Sequence, residues 1–205
     1  MKRLNGISGL FATAAFAAVA AFAATSVQAQ IAPDALIKTV ATDVTTVLKA
    51  DPAILSNAAK LKELIENKLI PNFSFARMTQ LAMGRNWAKA TPEQQTALTK
   101  EFQTLLVRTY SGALANFRNN TIDVRPLRMQ PADTDVTVKT VINQANGQGI
   151  PIDYSLEKGA DGSWKAYDII VAGVSLVTNY RDEFNTVIRD QGVDALVKQL
   201  QSKNK

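Results

Sequence analysis

The spacing of apolar residues in the first half of the chain predicts helices. Apolar side chains recur at three- and four-residue steps from Leu36 to Leu48, shortly after Pro33, which suits a first helical turn. A second helix is predicted to end near Leu69, and a short third helix near Gly84. The first half of the domain is therefore predicted to be helical.

The longest predicted helix begins after Thr91 and Pro92. Gln94 follows Thr91 by three residues, which is the spacing of a capping box. A wide apolar stripe continues from Leu98 through Tyr110 to Phe117. We expect this helix to extend to Asn119, a length of about 28 residues or on the order of 40 Å.

After Asn119 the pattern changes to the alternation that is typical of strands. Strands are predicted over Thr121–Arg128, Asp135–Thr140, Ile150–Glu157 and Trp164–Val171. Short turns between consecutive strands favour an antiparallel meander. One face of this sheet is apolar and has to be covered.

Helical spacing returns at Ser175, a plausible N-cap, and continues to Gly192, with a last helix over Val193–Leu200. Helices, a meander of about four strands and again helices predict an α+β fold, with the helices on one face of an antiparallel sheet. The sequence contains no internal repeat and no linker-like segment, so we expect one domain.

The N-terminal segment has the pattern of an export signal. Lys2 and Arg3 precede an apolar run from Leu10 to Ala24, and Val27-Gln28-Ala29 has the small-x-small form of a cleavage site. The alternative, a membrane anchor, needs roughly 20 apolar residues, and this run is shorter. We expect residues 1–29 to be removed, leaving a domain over residues 30–205 in a periplasm or outside the cell.

Composition excludes several classes of function. The chain contains no Cys and no His, which excludes disulfides, Cys- or His-based metal sites and the Ser-His-Asp and Cys-His mechanisms. Its formal charge is +5, and this falls to +3 without Lys2 and Arg3. The basic residues are scattered singly along the chain. We therefore expect no metal site and no nucleic-acid partner.

The apolar surface exceeds what a small sheet needs. The inward face of the meander opposes at least three amphipathic helices with wide apolar stripes. Either a thick solid core or a cavity between the sheet and the helices satisfies this pattern. Periodicity leaves both arrangements open.

Nine short motifs follow one another along most of the chain. The motifs are Pro71–Met78, Met83–Trp87, Thr91–Gln94, Phe102 with Tyr110, Pro151–Tyr154, Trp164–Asp168, Gly173–Val177, Asn179–Phe184 and Gly192–Leu196. With these elements, residues 71–200 resemble the MlaC family, also called toluene-tolerance auxiliary substrate-binding proteins. One departure is Ser74, where the family often has an acidic residue.

The resemblance implies a soluble periplasmic phospholipid carrier that is not an enzyme. Such proteins exchange lipid between an outer-membrane lipoprotein–porin complex and an inner-membrane ABC transporter, which supports the lipid asymmetry of the outer membrane. The bound phospholipid would be cargo, and no cofactor is expected. The resemblance also favours the cavity over the solid core, and by default we expect a monomer.

The cavity is predicted to lie between the inward residues of the meander and the facing helices. The predicted lipid-binding residues are Leu81, Met83, Phe102, Leu106, Tyr110, Val136, Val138, Ile152, Tyr154, Leu156, Ile170, Val174, Leu176 and Val177.

Asp168 supports an alternative of a different class. Alternation from Trp164 points Asp168 inward together with Ala166 and Ile170, where a carboxylate would serve as a general base. A small cone-shaped α+β isomerase or dehydratase would use it in this way, with Tyr154 or Tyr167 donating a hydrogen bond to the oxyanion. The structural interpretation is that backbone N–H groups or an Arg bind the Asp168 carboxylate.

Overall fold

The computed structural model of this protein describes residues 31–144, 147 and 149–205. The predicted signal peptide, residues 1–29, lies outside the described residues.

Three helices form the first part of the fold: α1 (Pro33–Ala50), α2 (Ala58–Leu64) and α3 (Phe75–Met83). The Asn57 side chain caps α2 by accepting hydrogen bonds from the backbone N–H groups of Ala59 and Lys60, both at 3.1 Å. After α2 the chain continues in a wider π-helical turn over Ile65–Leu69. Such turns displace side chains from the regular helical stripe.

Helix α4 (Pro92–Tyr110) begins at the predicted capping box and ends earlier than predicted. The N–H of Gln94 donates to the Thr91 hydroxyl at 3.2 Å, and the N–H of Thr91 donates to the Gln94 side chain at 2.9 Å. The expected continuation to Asn119 is wrong, because a 3-10 turn over Ser111–Leu114 separates α4 from a short helix α5 (Ala115–Asn119).

The sequence at the break explains the end of α4. The Ser111 hydroxyl donates to the backbone carbonyl of Arg108 at 3.3 Å, a local bond that competes with regular helix geometry. Gly112 follows directly and has a low helix propensity. The chain can therefore turn here toward the sheet.

The sheet is a five-stranded antiparallel meander in the order β1-β2-β3-β4-β5. The strands are β1 (Thr121–Val124), β2 (Asp135–Asn143), β3 (Ile150–Lys158), β4 (Trp164–Val171) and β5 (Val174–Ser175). Strand β1 ends before Pro126, which has no N–H to donate to a ladder, rather than at Arg128 as predicted. The two-residue strand β5 was not predicted.

Helices α6 (Leu176–Gln191) and α7 (Val193–Lys203) complete the chain as the sequence predicts. The Ser175 hydroxyl caps α6 by accepting from the N–H of Thr178 at 3.0 Å. Gly192 separates the two helices at a φ of +86°, a conformation that favours glycine. The α+β architecture is confirmed.

The apolar side chains form three separate clusters. Helices α3, α4, α6 and α7 enclose an aromatic core in which Phe102, Tyr180 and Phe184 contact one another. The sheet packs on α1 in a second cluster around Val138 and Leu156. The third joins α1 to the segment around α2 and to Leu114. The space where these clusters meet is not filled.

Candidate functional site

A cavity of about 530 Å³ lies between the sheet and the helices. This volume falls within the range of small-molecule sites, roughly 300–1,000 Å³. The sheet contributes Ile142, Ile150, Ile152, Tyr154, Ala166, Ile169, Val171 and Val174. The helical side includes Ile37, Val40, Ala41 and Val44 of α1, Phe75 and Met78 of α3, Leu106, Val107 and Tyr110 of α4, and Leu176 and Asn179 of α6.

The segment after α2 and the turn after α4 complete the wall. The π-helical turn brings Ile65 and Leu69 to the cavity, with Ile70 directly after them. The break in α4 brings Ser111, Ala113 and Leu114 to it. Both irregular segments therefore shape the cavity.

Among the described residues, no charged side chain lines the cavity. Its polar lining residues are Asn72, Tyr110, Ser111, Gln144, Tyr154, Ser175 and Asn179. An apolar wall with a few neutral polar groups accepts hydrocarbon and offers no cation to hold a phosphate inside. In the part of the chain that the structure describes, its titratable lining groups are the phenols of Tyr110 and Tyr154, without a carboxylate or an amine beside them.

Three residues with exposed apolar surface, two valines and the ring of a tyrosine, mark the place where the cavity meets solvent. Tyr110 is 41% exposed, Val171 44% and Val174 64%, and all three line the cavity. Val171 and Val174 flank the two-residue turn between β4 and β5. The opening is thus bordered by apolar surface.

Tyr154 is the most deeply buried titratable group of the cavity. Burial raises the pKa of its phenol to about 12, so the hydroxyl is neutral at ordinary pH. Among the described residues, its hydroxyl forms no hydrogen bond with a protein group. The Tyr154 hydroxyl is therefore free to donate to a polar atom of a bound molecule.

The structure brings six of the fourteen predicted lipid-binding residues to the cavity. These six are Leu106, Tyr110, Ile152, Tyr154, Val174 and Leu176. Met83, Phe102 and Val177 lie in the aromatic core, and Leu81 packs against it. Val136, Val138 and Leu156 lie in the cluster between the sheet and α1. Contact of any of the fourteen with a lipid stays a prediction.

Ile170 is the last of the eight predicted residues that do not line the cavity, and a β-bulge explains its position. Strand β4 pairs Asp168 with Ser155 and Ala166 with Leu156, which leaves Tyr167 without a partner on β3. The extra residue shifts the alternation by one position. Ile169 and Val171 therefore line the cavity in place of Ile170.

The same bulge overturns the predicted inward orientation of Asp168. Asp168 is buried but does not line the cavity. Its Oδ1 accepts from the N–H groups of Ile169 at 2.9 Å and Val177 at 3.1 Å, and its Oδ2 accepts from the Ser175 hydroxyl. Both oxygens are engaged at the N-terminus of α6, which is the structural interpretation rather than that of a general base.

Sequence reasoning missed the contributions of α1 and of the segment from Ile65 to Phe75. The apolar stripe of α1 was visible in the sequence, but nothing in it distinguished a cavity wall from a core contact. The π-helical turn after α2 had no recognisable signal.

The described part of the chain contains no group of three or more Asp, Glu, His or Cys side chains able to hold a metal ion. In the same residues, no helix combines the length and the apolar character needed to cross a membrane.

Both the sequence and the structure of this chain are similar to known proteins. The family model described as "MlaC protein" matches residues 38–202. The "Intermembrane phospholipid transport system binding protein MlaC" of Haemophilus influenzae is 26% identical over 157 residues, 72% of this chain and 73% of the relative. The "Toluene tolerance protein ttg2D" of Pseudomonas putida is 31% identical over 106 residues, 52% of this chain and 48% of that relative.

A solved structure has the same fold. It is a phospholipid-binding protein from Ralstonia solanacearum in complex with a phospholipid, with a TM-score of 0.77 and 42% sequence identity. The match covers 86% of this chain and 97% of that one.

Proposed function

This chain belongs to the MlaC family, and from this premise we propose that it is a phospholipid-binding transport protein that carries the lipid by its acyl chains. The observation that carries the proposal is the uncharged cavity of about 530 Å³ between the sheet and the helices. A site of this chemistry suits hydrocarbon and nothing strongly polar.

The hydrophobic effect supplies the affinity for the acyl chains. Burying one methylene group contributes about 0.8 kcal/mol, so removing a 16-carbon chain from water contributes on the order of 12 kcal/mol. Side chains such as Ile152, Ile169 and Leu106 provide the apolar wall for this burial. A carrier that held the lipid in this way would need no catalytic residue.

The headgroup is proposed to stay at the opening of the cavity. Inside, the described part of the chain offers no Lys or Arg to pair with a phosphate. At the border, Tyr110, Val171 and Val174 are partly exposed to water, where a charged headgroup keeps its hydration. We therefore expect the protein to select the acyl chains and to tolerate different headgroups.

Release into water would carry the full cost of hydrating the chains, so spontaneous release would be very slow. We propose that transfer takes place on docking to membrane complexes, an outer-membrane lipoprotein–porin complex and an inner-membrane ABC transporter. Cleavage of the predicted signal over residues 1–29 would place the carrier in the periplasm between the two. There it would support the lipid asymmetry of the outer membrane.

Native mass spectrometry of the purified protein, followed by lipid analysis of its organic extract, tests this proposal. We expect a stoichiometric phospholipid and a mixture of headgroups. A Tyr154→Asp variant, with a charge on the cavity wall, should run at its bare mass while keeping the circular dichroism of the wild type. A wild-type protein that runs at its bare mass even after incubation with phospholipid vesicles would refute the proposal.

A further inference from the structure

A second concave surface lies beside helices α3 and α6 and has the opposite chemistry to the cavity. This basic groove has a volume of about 880 Å³, and its cationic side chains are Arg77, Arg85, Lys89, Arg181 and Arg189. No Asp or Glu of the described ranges lines it. A chain with a formal charge of only +5 thus places five cations around one depression.

Neighbouring carboxylates compensate only part of this charge. The Nε of Arg77 lies 3.4 Å from Glu157 Oε2, and the Nε of Arg189 lies 2.7 Å from Asp190 Oδ1. Within the described ranges, no carboxylate oxygen lies within 4.0 Å of Arg85, Lys89 or Arg181. These three side chains keep a net positive potential in the basic groove.

The basic groove is separate from the lipid cavity. No described residue lines both spaces, because α3 and α6 lie between them. In α3, Phe75 and Met78 line the cavity, whereas Arg77 lines the groove. In α6, the groove residues Arg181, Asn185 and Arg189 follow one another at four-residue steps on one face.

Hydrogen bonds hold the walls of the basic groove together. Arg181 donates from Nε to the backbone carbonyl of Leu81 at 3.0 Å, which joins α6 to α3. The Asn86 side chain donates to the Asn185 side chain at 2.9 Å, which joins α6 to the turn after α3. A surface that is already arranged loses little entropy when a partner binds.

We propose that the basic groove is a docking site for an acidic segment of a partner protein. A groove that is lined by cations and by the amides of Gln80, Asn86 and Asn185 complements protruding Asp and Glu side chains. A flat anionic bilayer would not reach into a concave surface, so the shape favours a protein segment over a membrane. Polar docking of this kind is fast and reversible, and the inference does not depend on the proposed function.

A charge-reversal pair tests the proposal. Arg85 and Lys89 are exposed, so R85E/K89E changes the charge of the groove with little effect on packing. The control K100E/K198E makes the same change of charge at exposed positions of α4 and α7. Fluorescence anisotropy of a labelled Asp- and Glu-rich peptide of about 15 residues measures binding at low and moderate salt. Mass spectrometry of each variant reports its lipid content.

We expect the wild type to bind the acidic peptide, with weaker binding at the higher salt concentration. R85E/K89E should bind it about tenfold more weakly or not at all, whereas K100E/K198E should stay close to the wild type. Lipid content should be the same in all three proteins, which separates this test from that of the proposed function. If R85E/K89E does not fold, the neutral pair R85Q/K89Q takes its place. We expect it to bind the peptide more weakly than the wild type, by a smaller factor than the charge-reversed pair.

Three results would overturn the proposal. The first is a wild type that does not bind the peptide at low salt. The second is an equal loss of binding in both charge-reversed pairs, since that would reflect net charge alone. The third is a wild type that binds phosphatidylglycerol vesicles more strongly than the peptide and loses only vesicle binding in R85E/K89E, which would assign the groove to a membrane surface.

Discussion

The carboxylate of Asp168 accepts a hydrogen bond from the backbone N–H of Val177 at 3.1 Å and thereby ties strand β4 to the first turn of helix α6. The Ser175 hydroxyl donates to the same carboxylate. Leu176, between these two partners, lines the cavity. Asp168 therefore positions one end of the cavity wall without contacting the space inside.

Replacing Asp168 with Ala should lower the free energy of unfolding by about 1–3 kcal/mol, because buried N–H and O–H donors lose their acceptor. Urea denaturation measures this change. Asp153→Ala, on the neighbouring strand β3, is the matched control and should change stability by less than about 0.5 kcal/mol. A folded Asp168→Ala protein of unchanged stability would contradict the structural role of this residue.

Ile169 and Ile170 provide a matched pair for the cavity wall. Both are half-buried residues of β4, but only Ile169 lines the cavity. Ile169→Asp places a charge in a space without a counterion and should abolish lipid co-purification. Ile170→Asp carries the same substitution and should retain the lipid. Equal lipid content in the two folded variants, measured by mass spectrometry, would disprove this assignment of the β4 faces.

The positions of Ile169 and Ile170 also show where sequence reasoning fails on a strand. Alternation was sufficient to predict an antiparallel meander and the inward residues Ile152 and Tyr154 of β3. It failed after Ala166, because the unpaired Tyr167 shifts every later residue of β4 to the opposite face. A bulge of this kind leaves no mark in the pattern of apolar residues.

On a helix, the difficulty is that a core and a cavity need the same kind of surface. Phe102 and Leu106 are one turn apart on the apolar stripe of α4, and both are buried. Phe102 packs against Tyr180 and Phe184, whereas Leu106 lines the cavity. The helical spacing of the apolar residues predicts which face of α4 is covered. Whether a side chain on that face meets other side chains or a cavity depends on the three-dimensional arrangement of the elements packed against α4.

This difference predicts unequal effects of truncating the two side chains. Phe102→Ala opens a void in a filled aromatic core and should cost about 3–5 kcal/mol of unfolding free energy. Leu106→Ala enlarges a space that already exists and should cost less than Phe102→Ala. Chemical denaturation of the two delipidated variants makes the comparison. An equal or larger loss in Leu106→Ala would show that the cavity wall is packed as tightly as the core.

Tyr154 should make stability depend on pH in the alkaline range. Burial raises the pKa of its phenol from 10.0 to about 12, so the native state holds this proton more tightly than the unfolded state. The contribution is complete below pH 10 and is lost as the pH rises through 12, by an amount on the order of 2–3 kcal/mol. Tyr154→Phe cannot ionise and should lose less stability between pH 9 and pH 11.

Urea denaturation of the delipidated wild type and of Tyr154→Phe at several pH values measures this difference. Tyr167→Phe is the comparison, because the pKa of Tyr167 is also raised to about 12 but its hydroxyl donates to Asp135 at 2.9 Å. Identical pH profiles for the wild type and Tyr154→Phe would mean that the Tyr154 phenol is hydrated.

The turn between β4 and β5, at the border of the cavity, contains a strained alanine. Ala172 has a φ of +49° and Gly173 a φ of +85°, so both central residues of this two-residue turn lie in the left-handed region. Hairpins of this kind favour Asn-Gly, because Asn tolerates a positive φ better than Ala. Ala172→Asn should therefore raise the free energy of unfolding by about 0.5–1 kcal/mol, and Ala172→Val should lower it.

Neither substitution should change the lipid content, because Ala172 does not line the cavity. Thermal melts of the two variants beside the wild type decide the point, and an Ala172→Asn protein no more stable than the wild type would show that the turn carries no strain.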